Sequence, residues 1–297
     1  SSAKLLFIRY FASMKKWMLL SAFLCSMLAG IAQKKPAYVL YNAKGKKVSY
    51  KKMMRTLKTQ DIVLFGEFHN NPISHWLQLE VTKDLGETRK LALGFEMFEQ
   101  DNQSALDAYL QGKLSTKGLD SSARLWRNYT TDYAPLVNYA KEKKLPVAAS
   151  NVPRRYASLV FSGGLEALDT LPSLAKSWMA PLPIAYDPEL PGYKKMKEMM
   201  PGHGGDNLPK AQAIKDATMA HFILQYHRPG SLLIHFNGAY HSDNYEGILW
   251  YLRKQAPALK YATISTVSQK NIQQLLKENK QKADFIICVD EDMTTTY

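Results

Sequence analysis

Four apolar runs each end in residues that can do chemistry. The first, in VLFGEFHNN, delivers Glu67 and His69 and then breaks at Asn70-Asn71-Pro72. The second, LALGFEMF, delivers Glu96, with Glu99 just beyond it. A third, LPVAASNV, leads to Asn151 and then to Arg154, Arg155 and Tyr156. The fourth, SLLIHFNGAYH, delivers Asn237, Tyr240 and His241, followed by Asp243. Carboxylates mixed with imidazoles suit a divalent metal. A metal on Glu67, His69, Glu96 and His241 would lower the pKa of bound water, with Glu96 or His241 as base, and so support hydrolysis. Ionisable groups are costly to bury without a partner, so their convergence reads as a functional site. The alternative is structural: Glu67 and Glu96 as acids paired with Arg154 or Arg155.

Positioning these residues requires strands whose carboxyl ends meet. DIVLFGEF, LALGFEMF, LPVAASNV, SLLIHFNGAYH, YATISTV and ADFIICVD read as strands. Helical patterns alternate with them at 71–89, 101–112, 132–144, 153–161 and 245–255. Asn71 is placed to cap the first of these and Pro72 to take its first turn. Almost continuously apolar strands alternating with helices predict an α/β fold with a mostly parallel central sheet flanked by helices. In such sheets ligands sit outside the carboxyl ends of the strands. Prolines crowd the stretch at about 163–210, which contains the methionine-rich KKMKEMMPGHGGDN. It reads as a helical and loop insertion forming a lid within one domain over 33–297, and PKAQAIKDATMAHFILQYH then returns to a helix.

The start of the chain reads differently. Met14-Lys15-Lys16 precedes a short apolar run from Trp17 to Leu28 and then Ala29-Gly30-Ile31-Ala32, which predicts a secretory signal peptide with an upstream leader over 1–32. The run is short for a membrane span. Phe23 and Leu24 stand before Cys25 where a lipobox wants small residues, so cleavage before Gln33 is favoured over lipidation. The expected location is exported, periplasmic or membrane-associated. Cys288 would then be the sole remaining cysteine, and its apolar strand predicts a core residue. The formal charge is +13, and losing the four cations of 1–32 would leave +9. Scattered lysines without an interleaved aromatic–basic motif speak against nucleic acid. No Walker loop and no Gly-x-Ser-x-Gly elbow is present.

The other histidines read as structural. His75, His221 and His227 fall in helical patterns, and His235 lies inside an apolar strand. His203, between glycines, reads as a solvent-exposed loop histidine or as one that reaches over the site.

The segments GEFHNN, GFEMFEQDNQ, YLQG, NVPRR, AQAIKDATMA and GAYHSDNYEG occur in this order between Asp61 and Leu252. Together they resemble the ChaN-like haem-binding uptake family, which is related to the Tiki/TraB proteins and more distantly to the erythromycin esterases. The resemblance implies an exported haem-binding protein of haem and iron uptake, with haem as ligand and a membrane or outer-membrane haem-uptake receptor as a further partner. The wider superfamily implies the other reading, a metal-dependent peptidase or esterase on Glu67, His69, Glu96 and His241, so enzymatic activity stays open. Ferric haem accepts a tyrosinate ligand, which cationic neighbours or the metal itself must help to ionise. Tyr156 follows Arg154 and Arg155 directly, which makes it the first expectation for the axial ligand, with the arginines on the haem propionates. Tyr240 and His203 are the alternatives, and Trp178 with the methionine-rich insertion would supply apolar walls. A flat ligand can also lie between two copies of the chain, which admits a homodimer.

Overall fold

The computed structural model describes residues 35–199 and 205–297. Seven strands form one sheet: β1 (Tyr38–Asn42), β2 (Ile62–Glu67), β3 (Leu91–Glu99), β4 (Val147–Asn151), β5 (Leu232–Gly238), β6 (Tyr261–Gln269) and β7 (Phe285–Asp290). Their order is β1-β7-β6-β2-β5-β3-β4. All neighbours run parallel except β1, which lies antiparallel on β7. The fold is therefore the expected α/β arrangement. All six of the sequence-read strands are present, and β1 was not among them.

The helices are α1 (Tyr50–Leu57), α2 (Pro72–Gly86), α3 (Gln103–Leu110), α4 (Thr116–Ser122), α5 (Ala134–Lys143), α6 (Arg154–Gly163), α7 (Ser173–Lys176), α8 (Pro191–Met199), α9 (Asn207–Tyr226) and α10 (Ile248–Gln255). They cover both faces of the sheet because β2 is apolar on both. Val63 and Phe65 pack with Leu77, Val81 and Leu85 of α2 and with Leu136 of α5. Ile62 and Leu64 point the other way and pack with Ala217, Ala220 and Ile223 of α9 and Leu252 of α10. Alternation along a strand sends successive side chains to opposite faces, so a strand covered twice has no polar face to show.

The entry to α2 follows the expected chemistry. The Asn71 side chain accepts from the Ser74 amide at 2.9 Å, and Pro72 opens the helix. His235 is fully buried and bonded to Ser150 Oγ at 2.7 Å and to Asn237 at 3.1 Å, a satisfied core histidine. Cys288 is buried in β7 among Tyr41, Val267 and Ile286. Among the described residues the stretch between α6 and α9 holds a 3-10 turn (Leu165–Leu168), α7 and α8, and Leu168 and Met179 pack there with Ala211 and Ile214 of α9 in a small apolar cluster. Residues 1–32, with the expected signal segment, and His203 lie outside the described residues. Among the described residues no helix is long and apolar enough to cross a membrane.

Candidate functional site

β2 ends at Glu67, paired in register with Gly238 at the end of β5. β3 leaves its ladder with β5 after Phe95, and its register with β4 shifts between Phe95 and Glu99. Such an irregularity re-aims side chains. It falls at Glu96, whose Oε2 accepts the Gly238 amide at 2.7 Å. Three strand ends thus bring Glu67, Glu96 and Gly238 together at the carboxyl edge, with His69 and His241 on the loops that follow β2 and β5.

Glu67 is almost fully buried and heavily bonded. Its Oε1 meets His69 Nδ1 at 3.0 Å and accepts from the Tyr133 hydroxyl at 2.5 Å, and its Oε2 accepts from the Gln78 amide. His75 lies 3.7 Å from Oε2. The ring nitrogens of His75 also face Gln78 Oε1 and the His69 carbonyl, each at 3.0 Å, with Asp132 at 3.5 Å. Asp132 and Tyr133 sit in a π-helical turn, Tyr129–Tyr133. Turns of this kind recur at functional sites. Here the turn drives the Tyr133 hydroxyl onto Glu67. Burial, and then the Glu67 carboxylate, raises the Tyr133 phenol far above its ordinary pKa, so it stays a donor.

His69 is held from one side only. Glu67 fixes Nδ1, Trp126 stands edge-on to the ring at 4.7 Å, and the side chain is about one-third exposed. Nε2 faces Gly238, where a Cβ would come within 2.9 Å of it. Burial lowers the His69 pKa, but the hydrogen bond to Glu67 and the charge of Glu96 outweigh it, and the net shift is upward.

His241 lies between two acids. Nε2 is 3.2 Å from Glu96 and Nδ1 is 2.5 Å from Asp216, with the Gln212 amide 2.8 Å from Nδ1. Burial alone would lower its pKa, yet Glu96 and Asp216 raise it to about 10. Glu96 answers in the opposite sense. Burial pushes it up, and His241, His69 and the Gly238 amide pull it well below the usual carboxylate range. The shift favours the protonated ring, with Glu96 and Asp216 as its counter-charges.

An open cleft of about 480 Å³ lies above these groups, lined by Glu67, His69, Gln212, Gly238, Tyr240 and His241 among others. Phe68, Tyr240 and Tyr297 border it and stay 37%, 46% and 50% exposed. The Tyr240 hydroxyl donates to the Gly192 carbonyl at 2.8 Å, and burial followed by the charges of Asp216, Glu246 and Asp243 pushes its pKa up to about 12.

The expected residues fall into two groups. Glu67, His69, Glu96, Tyr240 and His241 converge at the cleft. Tyr156, Arg154 and Arg155 stand on α6, outside the cleft lining. There Arg155 pairs with Asp101 at 2.7 Å and covers the Tyr156 ring at 4.6 Å, and Tyr156 stacks on Trp178. Trp178 is thus a partner of Tyr156 and not a wall of the cleft. The structural alternative for the acids also fails, because Glu67 and Glu96 bond to histidines, Tyr133, Gln78 and a backbone amide instead of to Arg154 or Arg155. Among the described residues no group of three or more His, Cys, Asp or Glu is arranged to hold a metal ion. Sequence reasoning missed Gln78, Tyr133, Gln212 and Asp216. Gln212 and Asp216 were legible as an i, i+4 polar pair inside the apolar face of AQAIKDATMA.

Residues 53–252 match the family described as haem-binding uptake, Tiki superfamily, ChaN. The chain belongs to this family. Among solved structures, this ChaN-family chain is similar to one titled cofacial heme binding to ChaN of Campylobacter jejuni, at 18% identity and a TM-score of 0.60, covering 86% of this chain and 98% of that one. It is also similar to an erythromycin esterase mutant, EreC, in its open conformation, at 10% identity and a TM-score of 0.50, covering 86% and 97%. At these identities the likeness shows a common fold. No curated protein matches the chain.

Proposed function

We propose that this ChaN-family chain binds haem in the cleft at the carboxyl edge of its sheet and takes part in haem and iron uptake as an exported protein. Family membership supports the ligand. The observation that carries the location is the cleft of about 480 Å³, with a buried polar floor and an aromatic border. Clefts of roughly 300–1,000 Å³ are the size that encloses most of a ligand as large as a drug molecule. The donors fit the group. Tyr240 offers a half-exposed phenol, and His69 offers Nε2 with its other nitrogen anchored on Glu67, the arrangement that orients a ligating imidazole. That nitrogen packs against Gly238, where a Cβ would clash with it. Haem, when bound, supplies a ferric centre that a tyrosinate can hold. Tyr240 would hold the ferric centre as a phenolate, and its pKa, pushed up to about 12, would oppose that ionisation.

Titration with ferric haem, followed in the Soret band, tests this reading on the wild type, Tyr240→Phe and Tyr156→Phe. A saturable change that weakens at least about tenfold in Tyr240→Phe, or about 1.4 kcal/mol, and is unchanged in Tyr156→Phe is expected. The reverse pattern would move the ligand to α6. No saturable change in the wild type would overturn haem binding. Export is checked separately by sequencing the amino terminus of the protein recovered outside the cytoplasm, where a start at Gln33 is expected.

A further inference from the structure

The chain carries 39 lysines and arginines against 26 acids. Even so, among the described residues no lysine or arginine lines the cleft. Glu67, His69 and His241 line it, and the acids Glu96 and Asp216 stand outside that lining, against His241. Glu96 and Asp216 flank one imidazole, His241, at 3.2 and 2.5 Å. With one proton this trio carries a charge of −1, whichever of the three groups holds the proton. Glu67 and His69, 3.0 Å apart, form a second pair, neutral when the imidazole is protonated and −1 otherwise. His75 and Asp132 stand behind them at 3.5 Å, a pair that is neutral if the imidazole is protonated and −1 otherwise. The sum is negative in each of these states. Glu67, Glu96 and Asp216 are 1%, 6% and 1% exposed, so salt screens them weakly. Cations stand around the cleft instead of in it. Arg127 covers the ring of Tyr297, while Lys195 and Lys282 belong to a neighbouring cavity, where Lys282 is 3.6 Å from Asp243.

We propose that the cleft selects its ligand by charge: the floor takes a flat macrocycle whose centre is positive and turns the ligand's own carboxylates out towards solvent. This rests on the haem-binding reading and specifies it. A trivalent metal leaves a charge of +1 at the centre of a porphyrin dianion, whereas zinc(II) leaves none, at nearly the same shape and with one axial position still open. A buried negative floor therefore favours the trivalent form, ferric haem included, and opposes propionates directed inward. The arginines of α6 play no part in holding them.

The test is a fluorescence titration of the full chain with gallium(III) and zinc(II) protoporphyrin, with the gallium dimethyl ester, and with both metals on Glu67→Gln. The gallium form is expected to bind at least about tenfold tighter, or about 1.4 kcal/mol. That preference is expected to shrink by at least about threefold in Glu67→Gln at alkaline pH, where His69 is neutral and the substitution removes one nearby unit charge. Esterifying both propionates is expected to change affinity by less than about threefold, since solvent-facing carboxylates contribute little. Equal affinity for the two metals in the wild type overturns the proposal while leaving haem binding intact. So does a preference unchanged in Glu67→Gln at alkaline pH, or a tenfold loss on esterification. If Glu67→Gln does not fold by circular dichroism, the wild-type titrations decide alone. No saturable binding of any porphyrin overturns haem binding and this proposal together.

Discussion

A histidine held by two buried carboxylates is a charge that the fold maintains. The pKa of His241 is raised to about 10 in the folded chain, against about 6.5 when unfolded. Its stabilisation is then fully present below pH 6.5 and is lost as pH rises through about 10. Urea midpoints of the wild type and His241→Gln should differ most near pH 6 and converge towards pH 10. A constant difference across that range would mean that packing, not charge, is what the ring contributes. Gly238 acts on the same cluster by shape. A Cβ there would lie 2.8 Å from His69 Cε1 and 2.9 Å from Nε2. Overpacking of this kind costs roughly 1–3 kcal/mol. Gly238→Ala should lower the urea midpoint accordingly, and haem affinity should fall with it as His69 leaves the cleft.

Elements carry the second layer of the design. The π-helical turn Tyr129–Tyr133 and α2 place Tyr133 and Gln78 on Glu67, a carboxylate that the end of β2 leaves buried. Removing one donor from a buried charged acceptor costs about 1–3 kcal/mol. Tyr133→Phe should lose about that much in a denaturant titration, with secondary structure by circular dichroism unchanged. The edge strand β4 shows a related device. Gln103 of α3 donates to the Val147 carbonyl at 2.9 Å and accepts the Ala149 amide at 2.7 Å, so a side-chain amide occupies the place of a neighbouring strand. Edges left open in this way invite pairing with other chains. Gln103→Leu should raise aggregation on partial unfolding, read as light scattering during a thermal ramp.

At the scale of the whole molecule, the sheet has apolar helices on both faces, and its carboxyl edge is where charged groups can reach solvent. The exposed Phe68, Tyr240 and Tyr297 border that edge. We propose that a haem lying there keeps one face uncovered and that the cleft of a second copy of the chain covers it. Light scattering after size exclusion should show the mass doubling when haem is added, and Phe68→Ser should reduce the doubling. A single-chain mass at saturating haem would assign the whole ligand to one cleft.

The strands from β2 to β7, the capped start of α2 and the gathering of Glu67, His69, Glu96 and His241 at one sheet edge were legible in the sequence. Those features follow from apolar runs, caps and strand-end polarity, which are local. It did not carry β1, a five-residue strand outside the strand–helix alternation, because its place is set by antiparallel pairing with β7 far along the chain. It also pointed to Tyr156, because Arg154 and Arg155 adjoin it in sequence. It took the folded chain to show that these arginines stand outside the cleft lining, that Asp216 and Gln212 arrive at His241 from α9, and that Tyr133 reaches Glu67. Sequence adjacency fixes which residues share a turn. Packing across the sheet fixes which of them share a field, and for groups of opposite charge in a buried floor the field decides the chemistry.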